Sequence, residues 1–149
     1  VTFFNAGDAR LQGVESHIDV PIGGMVSLEG GLDYVRGELT SLGQPLPRIP
    51  PLRGRLGLRI QRNAFQVGAD GVFHADQNRI FVDGETETPG FNLLKVFASY
   101  SFGRGPVANT ITVRLDNVTD ELYYNHLNYL KDLIPEMGRN LKVLYNVRF

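Results

Sequence analysis

Cysteine and tryptophan are absent from the 149 residues, and methionine occurs only twice. Without cysteine the chain can hold neither a disulfide framework nor a zinc–thiolate site. No apolar run approaches the roughly 18 residues that a membrane-crossing helix needs. That absence leaves crossing by β-strands open, because alternation of polar and apolar residues dilutes hydropathy. Neither sign of charge is in excess: 15 Lys and Arg stand against 16 Asp and Glu, a formal net charge of −1. The basic residues are spread among acidic ones and form no run, so no nucleic-acid partner is expected. A Gly-x-Ser-x-Gly elbow, a phosphate-cradling glycine loop and a His-Glu-x-x-His motif are all missing, and an enzyme is not expected.

Alternation fills the space that these absences leave. In Ile111-Thr112-Val113-Arg114-Leu115-Asp116 apolar residues take the odd positions and polar residues the even ones, the period of two that sends side chains to opposite faces of a strand. Leu141, Val143, Tyr145, Val147 and Phe149 repeat the pattern, broken only by Leu144. Upstream, Val14, Ile18, Val20 and Ile22 oppose Glu15, His17 and Asp19, and Leu28, Leu32 and Tyr34 oppose Glu29 and Asp33. Leu56, Leu58 and Ile60 alternate with Arg53, Arg55 and Arg59, and Phe65, Val67 and Phe73 with Gln66, Asp70 and His74. A strand from about Phe91 to Phe102 sets Leu94, Val96, Ala98, Tyr100 and Phe102 on one side, with Leu93 and Phe97 interrupting the other. About seven antiparallel strands are predicted, and carboxylates such as Glu29, Asp33, Asp70 and Asp116 are expected to pair with Arg53, Arg55, Arg59 and Arg114 across the polar face.

The connections alternate in length. Short reversals near residues 23, 62 and 104 alternate with long loops over 40–50, 80–90 and 125–138, so all the short turns fall at one end. Pro45, Pro47 and Pro50 mark the first long connection as loop and not sheet, since proline removes a ladder donor. Outer-membrane barrels have short turns at one end and long loops at the other. Alternation alone would suit a soluble ligand-binding β-sandwich equally well; the loop asymmetry and strand length favour the barrel. The chain opens on Val1-Thr2-Phe3-Phe4 without an initiator Met, and the expectation is a piece of a longer protein.

The final hairpin carries the most specific wording. Asp116, Asn117, Asp120 and Tyr123 form an Asp-Asn-(apolar)-x-Asp-x-x-Tyr motif, and Pro135, Gly138, Arg139 and Asn140 form a Pro-x-x-Gly-Arg-Asn turn before a last strand that ends on Phe149. Upstream, Asn5, Gly7, Ala9, Gly13 and Glu15 fit an Asn-x-Gly-x-Ala-x-x-x-Gly-x-Glu strand opening. With these features the chain resembles the C-terminal part of TonB-dependent outer-membrane receptor barrels. The Asn125-His126-Leu127 and Leu130-Lys131-Asp132 wording is most similar to the branch that takes up zinc or other metals.

The resemblance implies an all-β, antiparallel transmembrane barrel wall, with residues 1–149 supplying about seven strands of a barrel of about 22. The plug domain is expected to lie outside this chain. It implies TonB-dependent uptake of a metal ion or metal chelate (a siderophore, haem or zinc) across a Gram-negative type outer membrane, with a passive porin-type barrel as the alternative. The partners implied are the lipid bilayer, the inner-membrane TonB complex acting through the plug, and the barrel-assembly machinery reading Tyr145, Val147 and Phe149. An isolated piece is expected to pair its open edges in an oligomer. Gly138 is expected to permit a backbone turn and Arg139 to anchor it on a carboxylate.

No resident cofactor is expected, only a transported metal or chelate. His126, with Asp132 and Glu136 within reach of a folded-back loop, forms the candidate metal set, since nitrogen and carboxylate ligands suit a divalent ion such as Zn²⁺. Their spacing is not diagnostic, and a hydrogen-bonded loop histidine is the commoner outcome. His17 is expected toward the short-turn half of its strand and His74, with Asp76 nearby, toward the loop half.

Overall fold

In a computed structural model, which describes residues 7–149, the chain forms one antiparallel sheet. Its strands are β1 (Ala9–Ile22), β2 (Val26–Leu39), β3 (Gln44–Pro45), β4 (Arg53–Arg62), β5 (Phe65–His74), β6 (Phe91–Arg104), β7 (Val107–Asp116) and β8 (Asn140–Arg148). Spatial order follows chain order, β1-β2-β4-β5-β6-β7-β8, with the two-residue β3 attached to β2. Among the described residues there is no helix. Asn5, which heads the first motif, lies outside them.

Register turns the sequence alternation into continuous stripes. Val20, Leu28, Leu58, Ala69, Val96, Leu115 and Leu141 sit opposite one another across seven strands. Two residues along, Ile22, Val26, Ile60, Val67, Ala98, Val113 and Val143 make a second unbroken row. A slip of one residue would bring the residues of the polar face into these rows, Arg114 or Asp116 in place of Leu115 and Asn140 or Lys142 in place of Leu141, which is why the pairing is unique. No second layer covers these rows among the described residues; Leu58 is 39% exposed and Leu141 65%. A soluble sandwich would bury them against a second sheet, and that alternative is not the fold.

Aromatic rings border the apolar rows. Phe65, Tyr100, Ile111 and Tyr145 pair in register near the short-turn end, where the Phe65 and Tyr100 rings lie 4.6 Å apart. On the same face of β5, Phe73 stands eight residues from Phe65. At about 3.3 Å per residue this separation is about 26 Å along the strand, which at the roughly 35–45° tilt of outer-membrane barrel strands spans about 20 Å of the roughly 25 Å apolar band.

Short turns need little beyond local chemistry. Gly23 (φ 59°) turns β1 into β2, Asn63 (φ 53°) turns β4 into β5, and Gly105 (φ 63°) turns β6 into β7. Glycine and asparagine are the residues that enter this left-handed region most readily.

One expectation fails in detail. Gln44 and Pro45 belong to the sheet, pairing with Leu39 and Glu38. The reason is that β2 outruns β4: the β2–β4 ladder stops at Asp33 and Arg53, and the far end of β2 needs another partner. Proline is tolerated at such a margin because its missing N–H faces no ladder carbonyl. The next residue resumes donation, Leu46 N–H to the Gly37 carbonyl at 3.1 Å.

Candidate functional site

All three long connections, 40–52, 75–90 and 117–139, leave the sheet at one end. They fold over its polar face, because the buried apolar side chains Phe91 and Leu93 belong to that face and not to the apolar one. Tyr123 of the last connection packs on Phe91 at 4.5 Å between ring centroids, and Phe91 stacks on His74 at 4.3 Å.

The root of the last connection explains its motif. Asn117 and Asp120 have φ of 50° and 57°, which Asn and Asp accept more readily than other side-chain-bearing residues. Asn117 Oδ1 accepts from Glu121 N–H at 2.8 Å while its Nδ2 donates to the Glu121 carbonyl at 2.9 Å. Asp120 Oδ1 accepts from the backbone N–H of Arg139 at 2.7 Å, tying the start of the loop to its end. Gly138 is needed for that approach, since a Cβ there would lie 2.8 Å from Asp120 Oδ1. The expected anchoring by the Arg139 side chain is corrected: its backbone takes the carboxylate, and its Nε donates to the Val118 carbonyl at 3.0 Å. Asp116 accepts from Arg114 Nε at 2.6 Å and Lys142 Nζ at 2.8 Å, and Asn140 pairs with it across the ladder. Asp116, Asn117, Asp120, Gly138 and Arg139 therefore brace the final hairpin.

Above this root lies a buried polar cluster assembled from all three connections. Glu85, whose side chain is 7% exposed, accepts from Arg48 N–H at 2.6 Å through Oε1 and from Phe81 N–H at 3.0 Å through Oε2. His126 Nε2 lies 3.6 Å from Glu85 Oε1, and His126 Nδ1 is 2.9 Å from Thr88 Oγ1. Lys131 Nζ donates to the carbonyl and hydroxyl oxygens of Thr86 and, at 3.1 Å, to Asp132 Oδ1. The Arg48 guanidinium donates to the Leu127 carbonyl at 3.3 Å and covers the Tyr129 ring.

Burial holds the His126 pKa below the usual 6.5; the Glu85 charge opposes this, and Lys131 and Arg48 reinforce it. The packed loops thus favour neutral imidazole. Its contribution to their stability is complete above the unfolded value of about 6.5 and is lost as pH falls from there through the lower folded value. Asp132 is held below the usual carboxylate range by its hydrogen bonds from Thr86 and Lys131.

The candidate metal residues do not converge. His126 faces Thr88 and Glu85, Asp132 bonds to Thr86 and Lys131, and Glu136 accepts from Asn128 Nδ2 at 3.0 Å. Among the described residues no group of three or more His, Asp or Glu side chains is placed to hold an ion. Asp76 accepts from Gly90 N–H at 2.6 Å, while His74 stacks on Phe91. His17 lies in the short-turn half of β1, as expected, yet level with the loop half of β5. Register sets it opposite Gly31, then Arg55, then Val72, only two residues along β5 from His74. Arg55 Nη2 lies 3.4 Å from His17 Nδ1.

His17 and His74 line a single concavity of about 710 Å³, with Arg53, Arg55, Tyr123 and Glu136. It lies between the polar face and the underside of the last connection. The anticipated ion pairs stand on the same face: Arg53 with Asp33 at 2.5 Å, and Arg59 with Asp70 at 2.6 Å and Glu29 at 3.5 Å. Arg48, Glu85, Thr88 and Lys131 were not legible as site residues in the sequence. Partners such as Arg48 and Glu85, Thr88 and His126, and Lys131 and Thr86 lie tens of residues apart, and the one sequence signal was that Lys131 belongs to the Leu130-Lys131-Asp132 wording.

Comparison with known proteins agrees with this geometry. The family described as TonB dependent receptor-like, beta-barrel matches residues 1–119. The copper transporter OprC is similar at 26% identity with a TM-score of 0.85, over 96% of this chain and 24% of that one. BauA, the ferric preacinetobactin receptor from Acinetobacter baumannii, is 24% identical with a TM-score of 0.74, over 95% of this chain and 22% of its own. The ferric citrate transporter FecA, in the unliganded form, is 21% identical with a TM-score of 0.76, over 94% and 24%. The last two likenesses are of fold. The chain spans less than a quarter of the length of each.

Proposed function

Because this chain belongs to the TonB-dependent receptor β-barrel family, we propose that it is the C-terminal part of the barrel wall of a receptor importing a metal ion or metal chelate. Membership of the family places it in the outer membrane. The observation that carries the reading is the pair of unbroken apolar rows left without a covering layer among the described residues, in a chain of that family. Lipid tails suit such a face. The opposite face, with its ion pairs and inward-folded loops, suits a lumen of about 22 strands that encloses a plug. A transition-metal or chelate cargo is supported by what the similar structures are described as carrying: copper, ferric preacinetobactin and ferric citrate. The concavity beneath the last connection would be this chain's share of the vestibule.

The test is metal accumulation in cells carrying or lacking the intact gene, under copper, zinc or iron limitation, with TonB present or deleted. Gene-dependent accumulation that disappears without TonB is expected. Accumulation indifferent to TonB would replace the receptor by a passive pore. Tyr145 and Val147 lie on the apolar-row side of β8 and Phe149 follows that strand directly, and we assign these three to the segment read by the assembly machinery. Deleting Phe149 should lower the amount of inserted receptor while leaving its synthesis unchanged. Normal insertion would remove that role.

A further inference from the structure

The buried polar cluster joins segments that the chain keeps far apart. Glu85 is its centre: one carboxylate receives Arg48 N–H from connection 40–52 and Phe81 N–H from its own connection, and it faces His126 of connection 117–139. With both oxygens already accepting backbone donors, Glu85 is poorly disposed to ligate a metal. It is well disposed to hold loops. Contacts around it run the same way. Gln77 Nε2 donates to the Ile49 carbonyl at 2.7 Å, joining the first and second connections. Lys131 and Asp132 hold Thr86, joining the second and third, and Arg48 holds the Leu127 carbonyl, joining the first and third. Each pair of connections is thus bonded directly, and the central groups are out of water: His126 is 3% exposed and Thr88 4%.

We propose that connections 40–52, 75–90 and 117–139 are latched through Glu85 into one body that opens cooperatively, so that this part of the rim behaves as a single lid segment and not as three independent loops. The physical ground is that a buried carboxylate deprived of one donor, or a donor deprived of the carboxylate, is left unsatisfied in a water-poor setting. No loop can leave without exposing the polar groups of the other two. The inference depends on loop packing alone and is independent of what the receptor carries, so failure of the uptake experiment would leave it standing.

Amide hydrogen exchange on the full-length receptor in detergent micelles tests it, with strand amides of β5–β7 as the internal control of folding. Under graded denaturant, the unmodified receptor should exchange Arg48, Thr88 and Lys131 through one common opening that precedes any opening of the strands. In Glu85→Ala, protection in all three connections should fall together by about tenfold or more, with the strands unchanged. Separate openings of the three connections in the unmodified receptor would overturn the latch. So would a loss of protection in Glu85→Ala confined to 75–90. The first measurement needs no variant, so the outcome does not hang on whether Glu85→Ala assembles.

Discussion

The two faces of this sheet are made of the same strands and solve opposite problems. On one, rows such as Val20 to Leu141 run across seven strands with nothing packed on them among the described residues. On the other, charged groups are paired, Arg53 with Asp33 and Arg59 with Asp70 and Glu29, and the loops fold down to bury Phe91 and Leu93. The difference is one of specificity. Any aliphatic of suitable size satisfies lipid, whereas a carboxylate on the polar side is satisfied only by a donor at the right place. The apolar face should therefore tolerate exchange among aliphatics but no charge, and the polar face should be sensitive to the loss of particular partners.

The largest effect expected comes from putting a charge on the wrong face. Leu115 lies in the apolar row between Val96 and Leu141, level with Ala69 midway between Phe65 and Phe73, while Thr112 on the other face of the same strand is opposite Ser99 and Leu144. Leu115→Arg should cost roughly 2–4 kcal/mol near the bilayer midplane and reduce the inserted receptor, whereas Thr112→Arg should insert normally. Heat-modifiable mobility of the outer-membrane fraction reads both, and equal insertion would erase the assignment of faces.

Next in size is the brace of the last hairpin. Asp120→Ala removes the acceptor of Arg139 N–H and should destabilise the 117–139 connection by about 1–3 kcal/mol, seen as faster proteolysis in that segment alone. Asp120→Asn, which keeps an acceptor oxygen, should retain most of the protection. If both variants behave like the parent, the polar side is less dependent on individual partners than the geometry requires.

The smallest effect is that of pH. Since burial favours neutral His126, cleavage within 117–139 should quicken as pH falls from about 7.5 to about 5.5, passing the ordinary histidine value. His126→Gln should flatten the profile. A profile unchanged by that substitution would assign the pH response to other groups.

Much of the wall was legible in the sequence. Alternation in 111–116 and 141–149 gave the faces, and glycine near 23 and 105 gave the short turns, because strand periodicity and left-handed turns are properties of a few neighbouring residues. The terminal motif was legible as wording, but its purpose was not: only folding shows that Asp120 receives the Arg139 backbone and that Gly138 makes room for it. Pro45 misled, since its loop chemistry takes no account of β2 outrunning its neighbour.

Which residues share the apolar face and where the chain reverses were written in the order of amino acids, since each depends on close neighbours. Which polar residues meet was decided only by the fold. Arg48, Glu85 and His126 carry no shared spacing, and what unites them is that three loops cross at one point where water is excluded and the Glu85 carboxylate takes the Arg48 N–H and faces His126.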